Sequence, residues 1–288
     1  MSSAGLSWGV AGAVLFGALL HAGWNALVKS GRDKALDMAL LQLLGSVLGL
    51  PLVALAGWPP AAAWPWLLAS VAIHIGYYVA LAGAYEHGEL GLAYPLMRGS
   101  APVLVAMASA LALGETPSLA SWAGVLGVCI GVLVLGLSTA GLHSRRAVGF
   151  ALANAVIIAL YTVVDALGVR AATRGGGTAW QYVAALFALD GWLYTALVWR
   201  RRGWAAAWPH ARARAVLAAG GAAASMGSYG IALWAMTRAP VATVAALRET
   251  SVLFAALLGT WLLKEAFTPR RAVGTALVLA GVVSLRLG

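Results

Sequence analysis

The sequence predicts an all-α integral membrane protein in which ten transmembrane helices form two inverted five-helix repeats around a central cavity. Three observations lead to this prediction. The composition is apolar, with 62% hydrophobic residues, 10% charged residues and a mean hydropathy of +0.87, whereas a soluble domain carries about a quarter charged residues. The chain also divides into ten apolar stretches, and its two halves align with each other.

Short breaks separate the ten stretches, each of which has about the 20 residues that a helix needs to cross a bilayer. The stretches are residues 7–28, 35–57, 64–85, 92–113, 119–140, 148–169, 179–199, 215–236, 240–263 and 271–287. Proline in several breaks suits the first turn of the helix that follows. None of the breaks is long enough to hold a separate soluble domain.

The repeat is visible without gaps in the last two predicted helices of each half. At a constant offset of 150 residues, identical residues align: Arg98 with Arg248, Ala106 with Ala256, Leu113 with Leu263, Glu115 with Glu265, Gly124 with Gly274 and Gly131 with Gly281. We therefore predict a first repeat at residues 1–143 and a second at residues 144–288. Because each repeat has an odd number of helices, the second is inverted relative to the first, which is typical of transporters.

Lysine and arginine lie mainly in the breaks and favour one side of the membrane. That side holds Lys29, Arg32, Lys34, Arg145, Arg146, Arg200, Arg201, Arg202, Arg212, Arg214, Lys264, Arg270 and Arg271, and the other side holds Arg170, Arg174, Arg238 and Arg286. The excess marks the cytoplasmic side, so both termini are predicted on the non-cytoplasmic side of a bacterial-type inner (plasma) membrane. Because the net charge of +10 is spread over short breaks, it indicates topology control and no nucleic-acid partner.

Two predicted helices carry a histidine, an aromatic ring and a hydrogen-bonding group at positions i, i+3 and i+4, which share one helical face. The residues are His21, Trp24, Asn25, His74, Tyr77 and Tyr78. Inside a bilayer such a face points toward protein or water. We interpret both faces as lining the cavity, with hydrogen bonding between helices as the alternative. The histidines lack metal-binding spacing such as HExxH, so neither a metal nor another cofactor is predicted.

Two arginines lie inside apolar stretches, where each costs at least about 2–3 kcal/mol unless it is paired or hydrated. We interpret Arg98, in a helix whose backbone hydrogen-bond ladder two prolines interrupt, as the ligand arginine, because a carboxylate or phosphonate would satisfy its guanidinium bidentately. Arg248 with the adjoining Glu249 is interpreted as a gate or structural ion pair. The alternative for Arg98 is a structural pairing with Glu86 or Glu89.

Further polar and aromatic side chains lie deep in the predicted helices. They are Tyr94, Tyr161, Asp165, Asp190 and Tyr229. The tyrosines could stack on an apolar or cationic ligand. Each aspartate could hold an ammonium group, carry a proton or neutralise an arginine, and the sequence does not rank these roles.

Small residues indicate sites of helix packing. Gly45 and Gly49 form one GxxxG motif, and Gly127 and Gly131 form another; such pairs let helix backbones approach closely. The single cysteine, Cys129, lies in an apolar run and is interpreted as a packing residue. Neither feature indicates a ligand site.

The repeated segments resemble the EamA family of the drug/metabolite transporter superfamily. The resemblance lies in residues 94–115, ending Leu-Gly-Glu, and in residues 247–265, which begin Leu-Arg-Glu-Thr-Ser-Val and end Leu-Lys-Glu. With the ten-helix duplication it covers essentially the whole chain. It implies a basket of ten helices, a cavity lined chiefly by helices 1, 3, 4, 6, 8 and 9, and alternating access without ATP. Within the family, the chain looks like exporters of amino acids and related metabolites.

We therefore expect a secondary transporter, and no enzyme, that exports a small zwitterion such as an amino acid. The expected partners are this substrate and the lipid bilayer, with the protein as a monomer. One alternative is an organic anion or phosphonate held by both arginines, and another is an organic cation held in an aromatic box with Asp165 or Asp190. A distant alternative is an intramembrane enzyme that uses His21, His74 and an acid.

Overall fold

The computed structural model describes residues 6–29, 31–87, 90–136, 144–263 and 268–288, and the side chains of these residues other than 29, 82–87, 90–93 and 258–263. Within these ranges the regular structure is helical and contains no strand. The α-helices are α1 (Trp8–Lys29), α2 (Lys34–Ala56), α3 (Trp64–His87), α4 (Leu90–Leu113), α5 (Leu119–Gly136), α6 (Arg145–Arg174), α7 (Ala179–Arg202), α8 (Trp204–Met236), α9 (Val241–Arg248), α10 (Thr250–Leu263) and α11 (Pro269–Leu287). A short 3-10 helix, Ala61–Ala63, precedes α3.

In the described part of the chain, eight helical segments are long and apolar enough to cross a membrane. They correspond to the first eight predicted stretches. The other two stretches fall short for different reasons: α9 and α10 are short pieces of one predicted helix, and α11 carries arginines at positions 270, 271 and 286.

Two helices extend well beyond the predicted apolar stretches. α6 runs from Arg145 to Arg174, where hydropathy predicts 148–169, and α8 begins at Trp204, where hydropathy predicts residue 215. The added turns carry several arginines, of which Arg170 donates to the Met236 carbonyl at 2.9 Å and Arg214 pairs with Asp37. Hydropathy therefore marks the apolar part of each helix and underestimates its length.

The ninth predicted helix is interrupted at Glu249. α9 ends at Arg248 and α10 begins at Thr250. The Glu249 N–H donates to the Ala246 carbonyl and the Val252 N–H donates to the Glu249 carbonyl, at 3.1 and 3.0 Å, which is the i to i+3 spacing of a tight turn. One turn with this tighter spacing thus separates α9 from α10 at Glu249, next to the arginine that the sequence places inside an apolar stretch.

α4 continues as one helix although its two prolines cannot donate backbone hydrogen bonds and so leave gaps in its ladder, as the sequence predicts. α4 continues through both Pro95 and Pro102. Membrane helices tolerate proline because neighbouring groups satisfy the freed carbonyls. The repeat partner of α4 is the predicted helix that is divided into α9 and α10, and it has no proline at the division.

Local hydrogen bonds define several helix ends. The Asp33 carboxylate accepts bonds from two backbone N–H groups at the start of α2, and Thr178 forms a capping box with Gln181 at the start of α7. The Gln181 side chain also donates to the Ala56 carbonyl at 2.6 Å, so the end of α2 is joined to the start of α7. Gly57, with φ of 83°, ends α2 in a conformation that suits glycine.

The helices assemble into two compact units. The first unit comprises Met1–Leu19, Gly76–Val163 and Arg238–Gly288, and the second comprises Leu20–Ile75 and Val164–Thr237. Each unit therefore takes segments from both predicted repeats. The repeat boundary between residues 143 and 144 stays a prediction.

The first unit is built around the crossing of α5 and α11. A Cβ atom added at Gly124 would lie 2.9 Å from the Gly281 carbonyl oxygen, and one added at Gly131 would lie 2.9 Å from the Gly274 carbonyl oxygen. The contact is reciprocal, because residues 274 and 281 are the repeat partners of residues 124 and 131 at the offset of 150. The two helices run antiparallel, and the predicted packing role of Gly131 is confirmed.

The second unit contains a similar crossing of α2 and α7. A Cβ atom at Gly49 would lie 2.9 Å from the Ala184 carbonyl oxygen, and one at Gly191 would meet the Gln42 carbonyl. Residues 184 and 191 follow residues 42 and 49 at a shared offset of 142, so this contact is reciprocal as well. Ser46 reinforces it, since its hydroxyl donates to the Phe187 carbonyl at 2.7 Å. The predicted packing role of Gly49 is confirmed.

A buried carboxylate joins three helices of the second unit. Asp37, on α2, is only 4% exposed. Its Oδ1 lies 2.5 Å from Arg214 Nε and 3.1 Å from His210 Nε2, both on α8. Arg214 also donates to the Leu27 carbonyl of α1 at 3.1 Å. The arginine that the sequence assigns to topology control therefore has a structural partner too.

The α5/α11 crossing predicts opposite effects for two Gly→Ala substitutions in the first unit. Gly131→Ala places a methyl group against the backbone of α11 and should destabilise the protein by about 1–3 kcal/mol. Gly149→Ala, on α6, has no atom within 4 Å of the new methyl group and should be neutral or stabilise the helix by about 0.5–1 kcal/mol. Thermal unfolding in detergent measures both. Equal melting temperatures for the two variants would contradict the packing role of Gly131.

Candidate functional site

The first unit holds two arginines and a glutamate in its interior, named here the arginine cluster: Arg98, Arg248 and Glu249. Arg98 Nε lies 2.9 Å from Glu249 Oε2 in an ion pair. The three residues are 7%, 8% and 4% exposed. α4 positions Arg98, α9 ends at Arg248, and Glu249 is the residue at which α9 and α10 are separated. The interruption of the helix therefore coincides with the ion pair.

This ion pair adds a partner to the one that the sequence suggests. The sequence interpretation placed Glu249 with the adjoining Arg248; the carboxylate interacts electrostatically with both arginines, and its salt bridge at 2.9 Å joins it to Arg98. The alternative partners of Arg98, Glu86 and Glu89, lie outside the residues whose side chains are described.

Tyrosines surround Arg98. Tyr94, one turn earlier on α4, is hydrogen-bonded to Arg98, and Tyr77 and Tyr161 interact with it electrostatically. The Tyr77 and Tyr161 rings pack edge to face with centroids 5.8 Å apart, and Tyr77 packs similarly on Tyr78 at 5.3 Å. The aromatic residues predicted on helices 3, 4 and 6 are thus brought together with Arg98 in one unit.

Sequence reasoning missed Asn154, which lies on α6 in the same unit. It is fully buried, its Nδ2 donates to Met97 Sδ at 2.9 Å, and its Oδ1 accepts no hydrogen bond from the described residues. Met97 precedes Arg98 on α4. The available signal was an amide side chain within an apolar stretch, which inside a membrane is costly unless it has a partner or a function.

The arginine cluster can bind both ends of a zwitterion. Two guanidinium groups and one carboxylate sum to one net positive charge, so the cluster has more capacity for an anionic group than for a cation. A guanidinium binds a carboxylate through two parallel hydrogen bonds. The Glu249 carboxylate supplies the complementary acceptor for an ammonium group.

The second unit holds a separate set of polar side chains. Asp165, on α6, is fully buried. Its Oδ1 accepts a hydrogen bond from Tyr182 Oη at 2.8 Å, and its Oδ2 accepts one from Tyr229 Oη. His74, on α3, lies 3.9 Å from Asp190 of α7. Within the described ranges, no group of three histidine, cysteine or acidic residues is placed to hold a metal ion.

The predicted polar face of helix 1 also belongs to the second unit. The His21 and Trp24 rings pack edge to face with centroids 4.9 Å apart. Asn25 Nδ2 donates to the His21 carbonyl of its own helix at 2.8 Å. The predicted site residues therefore divide between the units: His21, Trp24, Asn25, His74, Asp165 and Tyr229 lie in the second, and Tyr77, Tyr78, Tyr94, Arg98, Tyr161, Arg248 and Glu249 lie in the first.

Comparison with known proteins identifies the family. The model of the EamA-like transporter family matches residues 4–137 and 145–287. A solved crystal structure is similar over 98% of each chain, with a TM-score of 0.75 and 23% sequence identity, which supports the fold. No curated protein sequence matches the chain. The chain therefore belongs to the EamA-like transporter family of the drug/metabolite transporter superfamily and is a multi-pass membrane protein.

Proposed function

We propose that the protein is a secondary transporter that exports small zwitterionic metabolites, most of all amino acids, by alternating access. The observation that carries this proposal is the buried ion pair between Arg98 and Glu249, 2.9 Å apart. It presents one group for a carboxylate and one for an ammonium at the separation that an α-amino acid can match. Family members are transporters and not enzymes, which agrees with this role.

Substrate binding then proceeds by exchange of ion partners. The substrate carboxylate pairs with the Arg98 guanidinium, and the substrate ammonium pairs with the Glu249 carboxylate. Removing one partner from a buried ion pair costs about 3–5 kcal/mol, so a ligand that supplies only one of the two charges leaves the other side chain uncompensated. A zwitterion compensates both. In the absence of substrate the two side chains compensate each other.

The tyrosines support an apolar substrate side chain. Tyr77, Tyr94 and Tyr161 interact with Arg98, and their rings offer faces and edges for stacking. Tyr161 is 6% exposed, whereas Tyr77 and Tyr94 are partly exposed. We therefore choose L-phenylalanine as the first probe of this site.

One observation favours a second candidate, the transport of organic anions or phosphonates. Arg248 is as deeply buried as Arg98, and the arginine cluster carries one net positive charge. An anion with two or three oxygens would compensate that charge. The organic-cation alternative has less support, because both oxygens of Asp165 already accept hydrogen bonds from tyrosines.

The membrane arrangement is part of the proposal. We propose ten spans in two inverted repeats, with both termini on the non-cytoplasmic side of an inner membrane. The reciprocal antiparallel crossings of α5 with α11 and of α2 with α7 support inversion. A two-fold axis that exchanges two antiparallel helices is perpendicular to both of them, so for helices that cross the membrane it lies in the membrane plane, as in inverted repeats. The excess of lysine and arginine on one set of loops supports the orientation.

The ion-exchange mechanism predicts how analogues compete with radiolabelled L-phenylalanine in proteoliposome counterflow. 3-Phenylpropionate lacks the ammonium group and phenethylamine lacks the carboxylate. Each should compete at least about tenfold more weakly than L-phenylalanine, because each lost charged contact is worth about 1.5–3 kcal/mol. Strong competition by 3-phenylpropionate or methylphosphonate alone would favour the anion candidate. Strong competition by phenethylamine alone would contradict both candidates.

The role of Glu249 predicts a change of specificity in Glu249→Gln. The variant should lose the preference for L-phenylalanine over 3-phenylpropionate, because its amide no longer attracts an ammonium group, and Arg98→Ala should abolish flux. The matched control is Glu115→Gln, since the Glu115 carboxylate accepts a bond from the Val241 N–H at 2.8 Å that a glutamine oxygen can also accept. The control should keep the wild-type preference. A Glu249→Gln protein with unchanged preference would exclude the ammonium role.

The proposed topology predicts which sites an impermeant maleimide reaches in intact cells. The sole cysteine, Cys129, is buried and is first replaced by alanine. Arg174→Cys and Arg201→Cys then place a thiol at exposed positions at the ends of α6 and α7. Only the thiol at position 174 should react before the cells are opened. Labelling of position 201 alone in intact cells would show that the protein has the opposite orientation.

A further inference from the structure

The junction between α7 and α8, in the second unit, carries exposed aromatic and basic side chains. A single residue, Gly203, joins the two helices. Its φ of 80° suits glycine, and its N–H donates to the Trp199 carbonyl at 2.8 Å. The Trp199 and Trp204 rings pack edge to face across the junction, with centroids 5.2 Å apart. The last turn of α7 and the first turn of α8 therefore lie next to each other.

Five arginines occur between residues 200 and 214, and only two of them have an acidic partner among the described residues. Arg202 Nε lies 3.2 Å from Asp33 Oδ2, and Arg214 pairs with Asp37. The other three are exposed, and no described residue forms a salt bridge with them. They are Arg200, Arg201 and Arg212. Three positive charges are therefore presented on the surface at this junction.

The first turns of α8 have an inner and an outer face. On the inner face, Ala207 is buried in the core of the second unit, and His210 and Arg214 contact Asp37 of α2. The outer face presents four exposed residues at intervals of four, which are neighbours on a helix surface. We name them the outer row: Trp204, Trp208, Arg212 and Val216.

The outer row passes from the polar to the apolar part of α8. The apolar stretch begins at residue 215, so it includes Val216 but neither tryptophan. The Trp204 and Trp208 rings stack with centroids 5.5 Å apart, and exposed tryptophans are typical of the depth at which lipid headgroups lie. Arg212 lies between this aromatic pair and Val216. Neither neighbour supplies a negative charge, so a ligand anion at this position stabilises the guanidinium.

We propose that the outer row, together with Arg200 and Arg201, binds the headgroup of an anionic phospholipid. The headgroup phosphate accepts hydrogen bonds from guanidinium groups, the indole N–H groups donate to lipid oxygens, and an acyl chain lies along α8 from Val216 onward. A soluble anion leaves the apolar end of the row uncovered. Zwitterionic phosphatidylcholine adds a cation to three positive charges, which disfavours it. The lipid site does not depend on the identity of the substrate.

The test titrates purified full-length protein in detergent with phosphatidylglycerol or phosphatidylcholine and counts bound lipids by native mass spectrometry. The wild type should bind its first phosphatidylglycerol at least about tenfold more tightly, because each arginine near an anionic lipid contributes about fivefold at low salt. The preference should decrease as salt is added. The triple variant Arg200→Gln, Arg201→Gln, Arg212→Gln should lose it. Because these side chains are exposed, the variant should fold, and its melting temperature in phosphatidylcholine checks this.

The matched control is the triple variant Arg145→Gln, Arg146→Gln, Arg174→Gln. It also removes three exposed arginines, but none of them has a tryptophan within four residues in the sequence. The net charge therefore changes equally, and the control should keep the wild-type preference. An equal loss of preference in both triple variants would overturn the proposal, because total charge would then explain it. A wild type without any preference would overturn it as well.

A second pair of variants tests the tryptophans. Trp208→Leu should weaken phosphatidylglycerol binding about threefold or more, because an indole N–H donor is lost. Its control is Trp58→Leu, since Trp58 is similarly exposed, at 48% against 52%, and packs on Trp64 in the same unit; binding should not change. Equal binding by both variants would remove the tryptophans from the site and contradict the proposal.

Two further outcomes would assign the outer row to another occupant. Displacement of phosphatidylglycerol by an equal concentration of inorganic phosphate would show that the site binds a phosphate group without the lipid chains. A protein dimer that dissociates in the triple variant of Arg200, Arg201 and Arg212 would show that a second copy covers the row. Native mass spectrometry detects both, and either result would overturn the proposal.

Discussion

Hydrocarbon does not solvate charge, and this constraint organises the interior of the protein. Every charged side chain within an apolar helix needs a partner that another helix supplies. Arg98 of α4 meets Glu249 at the break between α9 and α10, and Asp165 of α6 meets tyrosines of α7 and α8. These contacts select which helices must be neighbours. They also concentrate the charged groups of each unit at a few positions, since only 10% of the residues are charged.

The second requirement for this fold, after the pairing of charged side chains, is that helix backbones approach each other closely. Without a hydrophobic force between helices in lipid, packing and hydrogen bonds hold them together. The α5/α11 crossing relies on glycines that face carbonyl oxygens, and the α2/α7 crossing adds the Ser46 hydroxyl between the two backbones. In both crossings a helix meets its own repeat equivalent. The two units thus share one construction principle although they use different residues and different offsets.

The site chemistry follows from the combination of these two requirements. A buried ion pair that neutralises itself is stable without a ligand, and a zwitterion can replace both of its internal contacts. The proposed function uses this arrangement for substrate recognition.

The sequence alone determined the membrane class, the approximate position of each apolar helix, the duplication and the family, because hydropathy and residue identity are local or periodic properties. It also singled out Arg98, Glu249, His74 and Asp165, since charges within apolar stretches are conspicuous. Only the tertiary structure decided the pairing of Glu249 with Arg98, the turn at Glu249 that separates α9 from α10, and the hydrogen bonds from Tyr182 and Tyr229 to Asp165. These features depend on which faces of helices distant in sequence come into contact. The order of helices along the chain does not specify those contacts, because they form only when the helices pack.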